Sequence, residues 1–336
     1  MDSKRRWLRM CVVTIGLLVM IGPGLADAQA PGDDRPTAWT EMMLEFLATG
    51  QMPLAPVAAT SLAAPTFPGV SPTPNLNVTP GGGTQDQTET TVAVGLGAFS
   101  SNIVVGYNDR AQLNGGFSGY SFSTDGGQTF TQSTAMPQPA GGNLAGDPVL
   151  DTHPAFPGRV YYASLCSANT IPMGTLGICV SISNDGGQNF GNPVVVSTPT
   201  CNTTTSVMND CDTFDKEWLA VDSFTGNVYI AYTNFVGGGP PQPPATPGSG
   251  SLRGQIEAVV CNAALTTCSA PFAVAGNNSV YRQGVSVTFG RTAGQEMVLA
   301  WYNRSSGFIE STNCAVGAGP AITVCAALTN VVNVGT

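Results

Sequence analysis

Four times along this 336-residue chain a short apolar strand is followed by an aromatic-rich strand and then a hairpin, and no other feature limits the fold so tightly. The second strands read NIVVGYNDR, RVYYASLC, NVYIAYTNF and MVLAWYNR, beginning near residues 102, 159, 227 and 297. Each is preceded by a shorter strand (ETTVAVG, DPVLDT, EWLAVDS, GVSVTFG) and followed by alternating apolar and polar residues around turn formers. A single four-stranded sheet cannot bury both faces alone, so a unit repeated every sixty to seventy residues or so predicts blades stacked around an axis. The expected fold is therefore all-β: a β-propeller of four-stranded antiparallel blades over about 85–140, 141–200, 212–276 and 280–334. Four blades are discernible, which fits either a compact ring or part of a larger propeller. A β-sandwich with a fortuitous repeat is the competing architecture.

The segment ahead of the repeats has a different character. Residues 1–9 are basic, 10–25 are apolar, and Ala26 and Ala28 supply small residues at a cleavage point, which is the layout of a secretory signal peptide over 1–28. Gly22, Pro23 and Gly24 leave the apolar run short of a bilayer span, so no membrane span is expected after cleavage. Within 29–84, Trp39, Met42, Met43, Phe46 and Leu47 have helical spacing that closes at Gly50, and a Pro/Gly-rich linker follows. The expected location is outside the cell or in the periplasm. The net charge of −9 becomes more negative without Lys4, Arg5, Arg6 and Arg9 of the leader, and no basic stripe remains. That excludes nucleic acid as a partner.

Cysteine usage agrees with export. Apart from Cys11 in the leader, the cysteines fall into neighbouring couples: Cys166 with Cys179, Cys201 with Cys211, Cys261 with Cys268, and Cys314 with Cys325. Eight cysteines allow 105 connectivities, so this pairing rests on proximity. No CxxC pair or histidine-rich tract calls for zinc, and the one histidine, His153 in the turn-like DTHPAFPG, is expected to be solvated. There is no GxSxG elbow, HExxH helix or phosphate-binding loop.

Two hairpins share a phrase, SFSTDGGQTF at 121–130 and SISNDGGQNF at 181–190. In the first, Ser123, Asp125, Gly127, Thr129 and Phe130 carry the pattern; in the second, Ser183, Asp185, Gly187 and Phe190 do. The aspartate is expected to accept hydrogen bonds from its own turn, the glycines to take backbone angles other residues resist, and the phenylalanine to return to the core. The pattern resembles the Asp-box, or BNR repeat, of sialidase-type β-propellers, with Asn189 standing where that pattern has threonine. In the third and fourth units a cysteine couple takes the place of the box, which makes disulfide and Asp-box alternative fasteners of one turn. The wider phrases GDPVLDTHPAFPGRVYYASL and DKEWLAVDSFTGNVYIAYTNF extend the resemblance, over about 85–305, to secreted bacterial proteins described as sialidase-like.

In a propeller the starts of the first strands and the ends of the second strands meet around the axis on one rim. Here those positions bring together Glu89, Asp147, Asp215, Glu217 and Arg282 with Asn108, Asp109, Arg110, Asn234, Asn303 and Arg304. Asp215, Glu217 and Asp147 are the candidate catalytic carboxylates, and Trp218 is a candidate aromatic platform for a sugar. An active exo-sialidase, as the resemblance implies, needs an arginine triad on the substrate carboxylate, a tyrosine nucleophile with its glutamate, and an acid/base aspartate. The Arg-Ile-Pro element of that family is absent, its place taken by TETTVAVG. Arg110, Arg282 and Arg304 are the substitute triad, with Tyr107 and Tyr302 beside two of them.

Two readings of function follow. One is a glycan- or surface-binding module without catalysis; the other is a sialidase-like glycoside hydrolase acting on acidic sugars. No cofactor is expected, although the acidic mouth is also a place where a calcium ion could bind, with ligands the sequence does not specify. The sequence sets no oligomeric state. The insertion GGGPPQPPATPGSG at 237–250 lies on the same rim as a loop or lid.

Overall fold

A computed structural model describes residues 78, 87–109, 116–132, 136–201, 211–236, 253–276, 280–289, 296–317 and 319–334. The expected signal peptide, the expected N-terminal helix, Arg110 and residues 237–250 lie outside the described residues, as does the expected linker apart from residue 78. Over those residues the chain forms four blades of a β-propeller, each an antiparallel meander. Blade 1 contains β1 (Gln87–Val94), β2 (Ile103–Asp109), β3 (Ser118–Ser123) and β4 (Thr131–Gln132). Blade 2 contains β5 (Val149–Thr152), β6 (Val160–Cys166), β7 (Gly177–Ser183) and β8 (Val194–Ser197). Blade 3 contains β9 (Thr213–Val221), β10 (Val228–Val236), β11 (Arg253–Cys261) and β12 (Phe272–Ala275). Blade 4 contains β13 (Arg282–Phe289), β14 (Glu296–Asn303), β15 (Phe308–Val316) and β16 (Ile322–Cys325), with β17 (Thr329–Asn333) pairing the first half of β15.

The second strands are apolar on both sides because each lies between two neighbours. Successive residues of a strand point to opposite faces. Tyr162 therefore joins Val104 and Tyr120 in the layer between blades 1 and 2. Its neighbour Tyr161 joins Phe214 and Leu219 in the layer between blades 2 and 3. Tyr229 packs with Leu299 and Trp301 between blades 3 and 4, whereas Ile230 points back toward blade 2. Burying one such side chain contributes about 1.5–3 kcal/mol, so these layers are the main cohesion of the stack.

The two repeated turns are built alike. Asp125 Oδ1 accepts the backbone N–H groups of Gln128 and Thr129, both at 2.9 Å, and Oδ2 accepts the Thr129 hydroxyl at 2.6 Å. In the second turn Asn189 takes the place of threonine without loss: its backbone N–H reaches Asp185 Oδ1 at 2.9 Å and its side-chain amide reaches Oδ2 at 2.8 Å. The Thr129 hydroxyl, with the other turn donors, holds the Asp125 carboxyl well below the usual range. The glycines differ in what they must do. Gly126 faces open space and serves the turn alone, but a Cβ on Gly187 would run into the Val104 side chain of blade 1. Asn102 and Tyr120 of blade 1 also bond the carbonyls of Gly186 and Gln188. Phe190 is buried against Tyr120 and Tyr162, with centroids at 4.9 and 5.6 Å, while Phe130 is half-buried. The second turn thus clasps blade 2 to blade 1.

All four cysteine couples are disulfides. The third-blade turn has more than its disulfide: Asn262 Oδ1 accepts the Thr266 N–H at 2.9 Å, a weaker version of the aspartate's role. His153 is not solvated but buried, 1 % exposed. Its Nδ1 accepts the Ala155 N–H, so Nε2 carries the proton donated to the Gly226 carbonyl at 3.0 Å, which ties the inner loops of blades 2 and 3. Burial pushes its pKa down. Among the described residues, no helix is long and apolar enough to cross a membrane.

Candidate functional site

The mouth is shaped by a bulge that recurs at the start of each blade's first strand. In β1, Glu89 and Thr90 lie between the pairs Thr88↔Asn108 and Thr91↔Gly106. In β9, Lys216 and Glu217 lie between Asp215↔Thr233 and Trp218↔Ala231. In β13, Gly284 and Val285 lie between Gln283↔Tyr302 and Ser286↔Ala300. Asp147 and Pro148 occupy the corresponding place just before β5. The first residue of each bulge has a left-handed backbone: φ is 51° at Glu89, 53° at Asp147, 50° at Lys216 and 72° at Gly284. Glycine takes that conformation freely, whereas a residue with a side chain is strained by about 1–2 kcal/mol. Three charged residues are held there, and strain of this kind clusters at sites where a side chain must be aimed.

Those three side chains meet. Lys216 of blade 3 places its ammonium 2.7 Å from Glu89 Oε1 of blade 1 and 3.0 Å from Asp147 Oδ2 of blade 2. One cation thereby joins three blades across the mouth. The Asp147 backbone N–H donates to Asn108 Oδ1 at 2.7 Å, fixing the bulge of blade 2 to the end of β2. Asp215 accepts the Gln283 amide of blade 4 at 2.7 Å.

Glu217 is in a different situation. It is 3 % exposed, and neither carboxylate oxygen has a hydrogen-bond partner. Its place in the bulge is filled by Thr90, Pro148 and Val285 in the other blades, and Val285 is part of the core between blades 3 and 4. A carboxyl thus stands at a position whose blade 4 counterpart is core, facing the charges of Asp147, Asp215 and Lys216. More bare buried polar atoms lie on the same strand ends: Thr88 Oγ1, Asn108 Nδ2, Thr213 Oγ1, Asn234 Oδ1 and Arg282 Nη1. Buried polar atoms are satisfied almost without exception in folded proteins, so such a concentration marks a place completed by water or a ligand.

The electrostatics divide the carboxyls into two sets. Burial, with the nearby Asp147 charge, raises Glu89 to about 8 against the pull of Lys216. Burial raises Asp215 to about 7 and pushes Glu217 well above the ordinary range. Burial also acts on Asp147, but Lys216 and the surrounding hydrogen bonds outweigh it and hold the group at about 2. Lys216 is held in its charged form by Asp147 and Glu89 despite its own burial. The mouth therefore has one firmly ionised carboxylate beside three that keep their protons more readily, the distribution acid–base chemistry requires.

The other sequence candidates are engaged by neighbouring groups. Arg282 Nε is bound to Glu310 Oε2 at 2.7 Å, and Trp301 Nε1 and Asn303 Nδ2 donate to the same carboxylate at 2.9 and 2.6 Å. Glu310 was not among the sequence candidates, because GFIESTNC reads only as a hairpin strand. Arg304 lies over the Tyr281 ring, 5.1 Å from its centroid. Trp218 is partly buried against the cores on both sides of blade 3. Asp109 is fully buried and accepts the Gln87 amide at 3.1 Å. Tyr107 is buried and shares a hydrogen bond with Ser121. Among the described residues, no group of three or more His, Cys, Asp or Glu could hold a metal ion.

No protein-family model matches the chain, and no curated protein matches it. Among solved structures it is similar to the Hadza microbial sialidase Hz136, at 13% identity and a TM-score of 0.49, over 74% of this chain and 47% of that one. It is similar to a PL25 ulvan lyase at 11% identity and a TM-score of 0.44, over 64% of this chain and 52% of that one. A third is the Penicillium chrysogenum α-L-arabinanase, at 12% identity and a TM-score of 0.45, over 70% of this chain and 63% of that one. The chain spans about half the length of the first structures it matches.

Proposed function

We propose that the protein is an exported glycan-recognition propeller whose ligand enters the mouth over the Lys216 clasp. The observation that carries this reading is Glu217, a buried carboxyl with both oxygens bare at a position whose blade 4 counterpart, Val285, is core. Such a group is destabilising unless a ligand completes it. Sugar hydroxyls are the donors that carboxyl, amide and hydroxyl groups around a mouth are suited to bind. The resemblance of the two DGGQ turns to those of sialidase-type propellers supports the same ligand class. The leader at 1–28 and the four disulfides fit an oxidising compartment. The test is an immobilised glycan panel probed with the wild-type protein and with Glu217→Gln. Retention of particular glycans by the wild type, lost in a variant of equal thermal stability, is expected. A panel on which the two proteins behave alike removes the mouth from the argument.

A second reading, glycoside hydrolysis, is favoured by the division of the carboxyls. Asp147 is ionised, and Glu217 and Asp215 hold protons toward neutrality, which supplies a base and an acid within one mouth. Turnover of fluorogenic glycosides that disappears in Glu217→Gln supports hydrolysis. Specific binding without turnover leaves recognition as the function.

A further inference from the structure

We infer that the ligand of this mouth carries a protonated amine, so that the saccharide class it selects is amine-bearing and not acidic; the inference rests on the glycan reading above. The cradle already shows which group it suits. Its upper carboxylates, Glu89 and Asp147, converge from two blades on an ammonium, that of Lys216, at 2.7 and 3.0 Å. Asp215 is occupied by the Gln283 amide, which leaves Glu217 as the carboxyl with both oxygens bare. A buried carboxylate is made tolerable by a paired cation with hydrogen bonds to its oxygens, and an ammonium, with three donors, serves both oxygens at once. Lys216 is already taken by Glu89 and Asp147, so Glu217 is the carboxyl an entering ammonium would meet, and pairing with it would release the proton that burial otherwise keeps there.

The same inventory disfavours an acidic sugar. Binding a carboxylate takes converging guanidinium groups. Of the candidate arginines among the described residues, Arg282 is paired with Glu310, with its Nη1 bare, and Arg304 lies over the Tyr281 ring. The chain's net charge of −9 also attracts cations and repels anions as they approach.

The experiment is a calorimetric titration of the wild-type protein with a glucosamine oligosaccharide, its N-acetylated counterpart and a glucuronic acid oligosaccharide of equal length. The amine form is expected to bind at least tenfold more tightly than the acetylated form, and the acid form more weakly than either. Glu217→Gln is expected to erase the preference for the amine. In case that variant does not fold, ethylammonium chloride, with sodium acetate as its control, is tested as a competitor on the wild type, and only the ammonium should displace the sugar. Equal binding of amine and acetylated forms, or a preference for the acid, overturns the amine inference and leaves glycan recognition standing. Ethylammonium binding with no saccharide binding sinks the glycan reading and keeps the amine. No binding by any probe overturns both.

Discussion

Glu217 and Glu310 are both buried, 3 % and 7 % exposed, yet their surroundings are opposite. Glu310 accepts hydrogen bonds from Arg282, Trp301 and Asn303, and those donors outweigh burial and hold its pKa below the ordinary value. Glu217 accepts none from another residue, and burial drives its pKa up. Burial alone therefore says nothing about a carboxyl's role; the donors around it do. Glu310 is a bracket that locks the start of β13 to β14 and β15, whereas Glu217 is a group the fold tolerates.

The contrast can be broken by mutation. Glu310→Gln should cost about 3–5 kcal/mol at neutral pH in denaturant unfolding, because it strands Arg282 as an uncompensated buried charge. A loss under about 1 kcal/mol would mean that the bracket is ornamental. Asn303→Ala removes one donor to a charged acceptor and should cost about 1.5–3 kcal/mol. It should also move the Glu310 titration, followed by NMR, up toward the ordinary glutamate range. Glu217→Gln should be close to neutral at pH 5 and stabilising by about 1 kcal/mol at pH 9, where the native carboxyl would otherwise have to ionise in place. Destabilisation at both pH values would show that Glu217 has a structural partner.

The subtlest test is the pH profile of the wild type. Glu89 at about 8, Asp215 at about 7 and the raised Glu217 all keep protons that the unfolded chain releases from about pH 4 upward. The native state then binds more protons, and stability declines as pH rises from about 4 to 8. Glu310 and Asp147, whose pKa values are lowered, act in the other direction: their contribution is present above the ordinary carboxyl range and is lost as pH falls. His153, lowered by burial, likewise costs stability as pH falls below its unfolded value. Melting scans should therefore show a maximum in mildly acidic solution. Glu217→Gln should flatten the alkaline side, and Glu310→Gln should flatten the acid side.

Much of the frame was legible in the sequence, because strand alternation and aromatic second strands follow directly from being packed between neighbours. The disulfide couples were legible from proximity, since each closes a hairpin or one short loop. The convergence of Glu89, Asp147, Asp215 and Glu217 followed from counting strand starts. Other features were hidden for physical reasons. A left-handed backbone at Glu89, Asp147 or Lys216 has no local signature, because those residue types do not favour it; of the four positions only Gly284 has a residue type that takes it freely. Glu310 looked like any polar residue in a half-exposed strand, and its partner Arg282 looked like a rim arginine. His153 looked solvated because its acceptor, Gly226, is far off in sequence.

The recurring bulge has a consequence beyond this one mouth. Its backbone is the same at Glu89, Asp147, Lys216 and Gly284 although the side chains are acidic, basic or absent. The frame thus behaves as a set of interchangeable sockets, each presenting whatever residue is installed. A lineage could rewrite what such a mouth recognises by substituting at four codons, with every strand register left as it was.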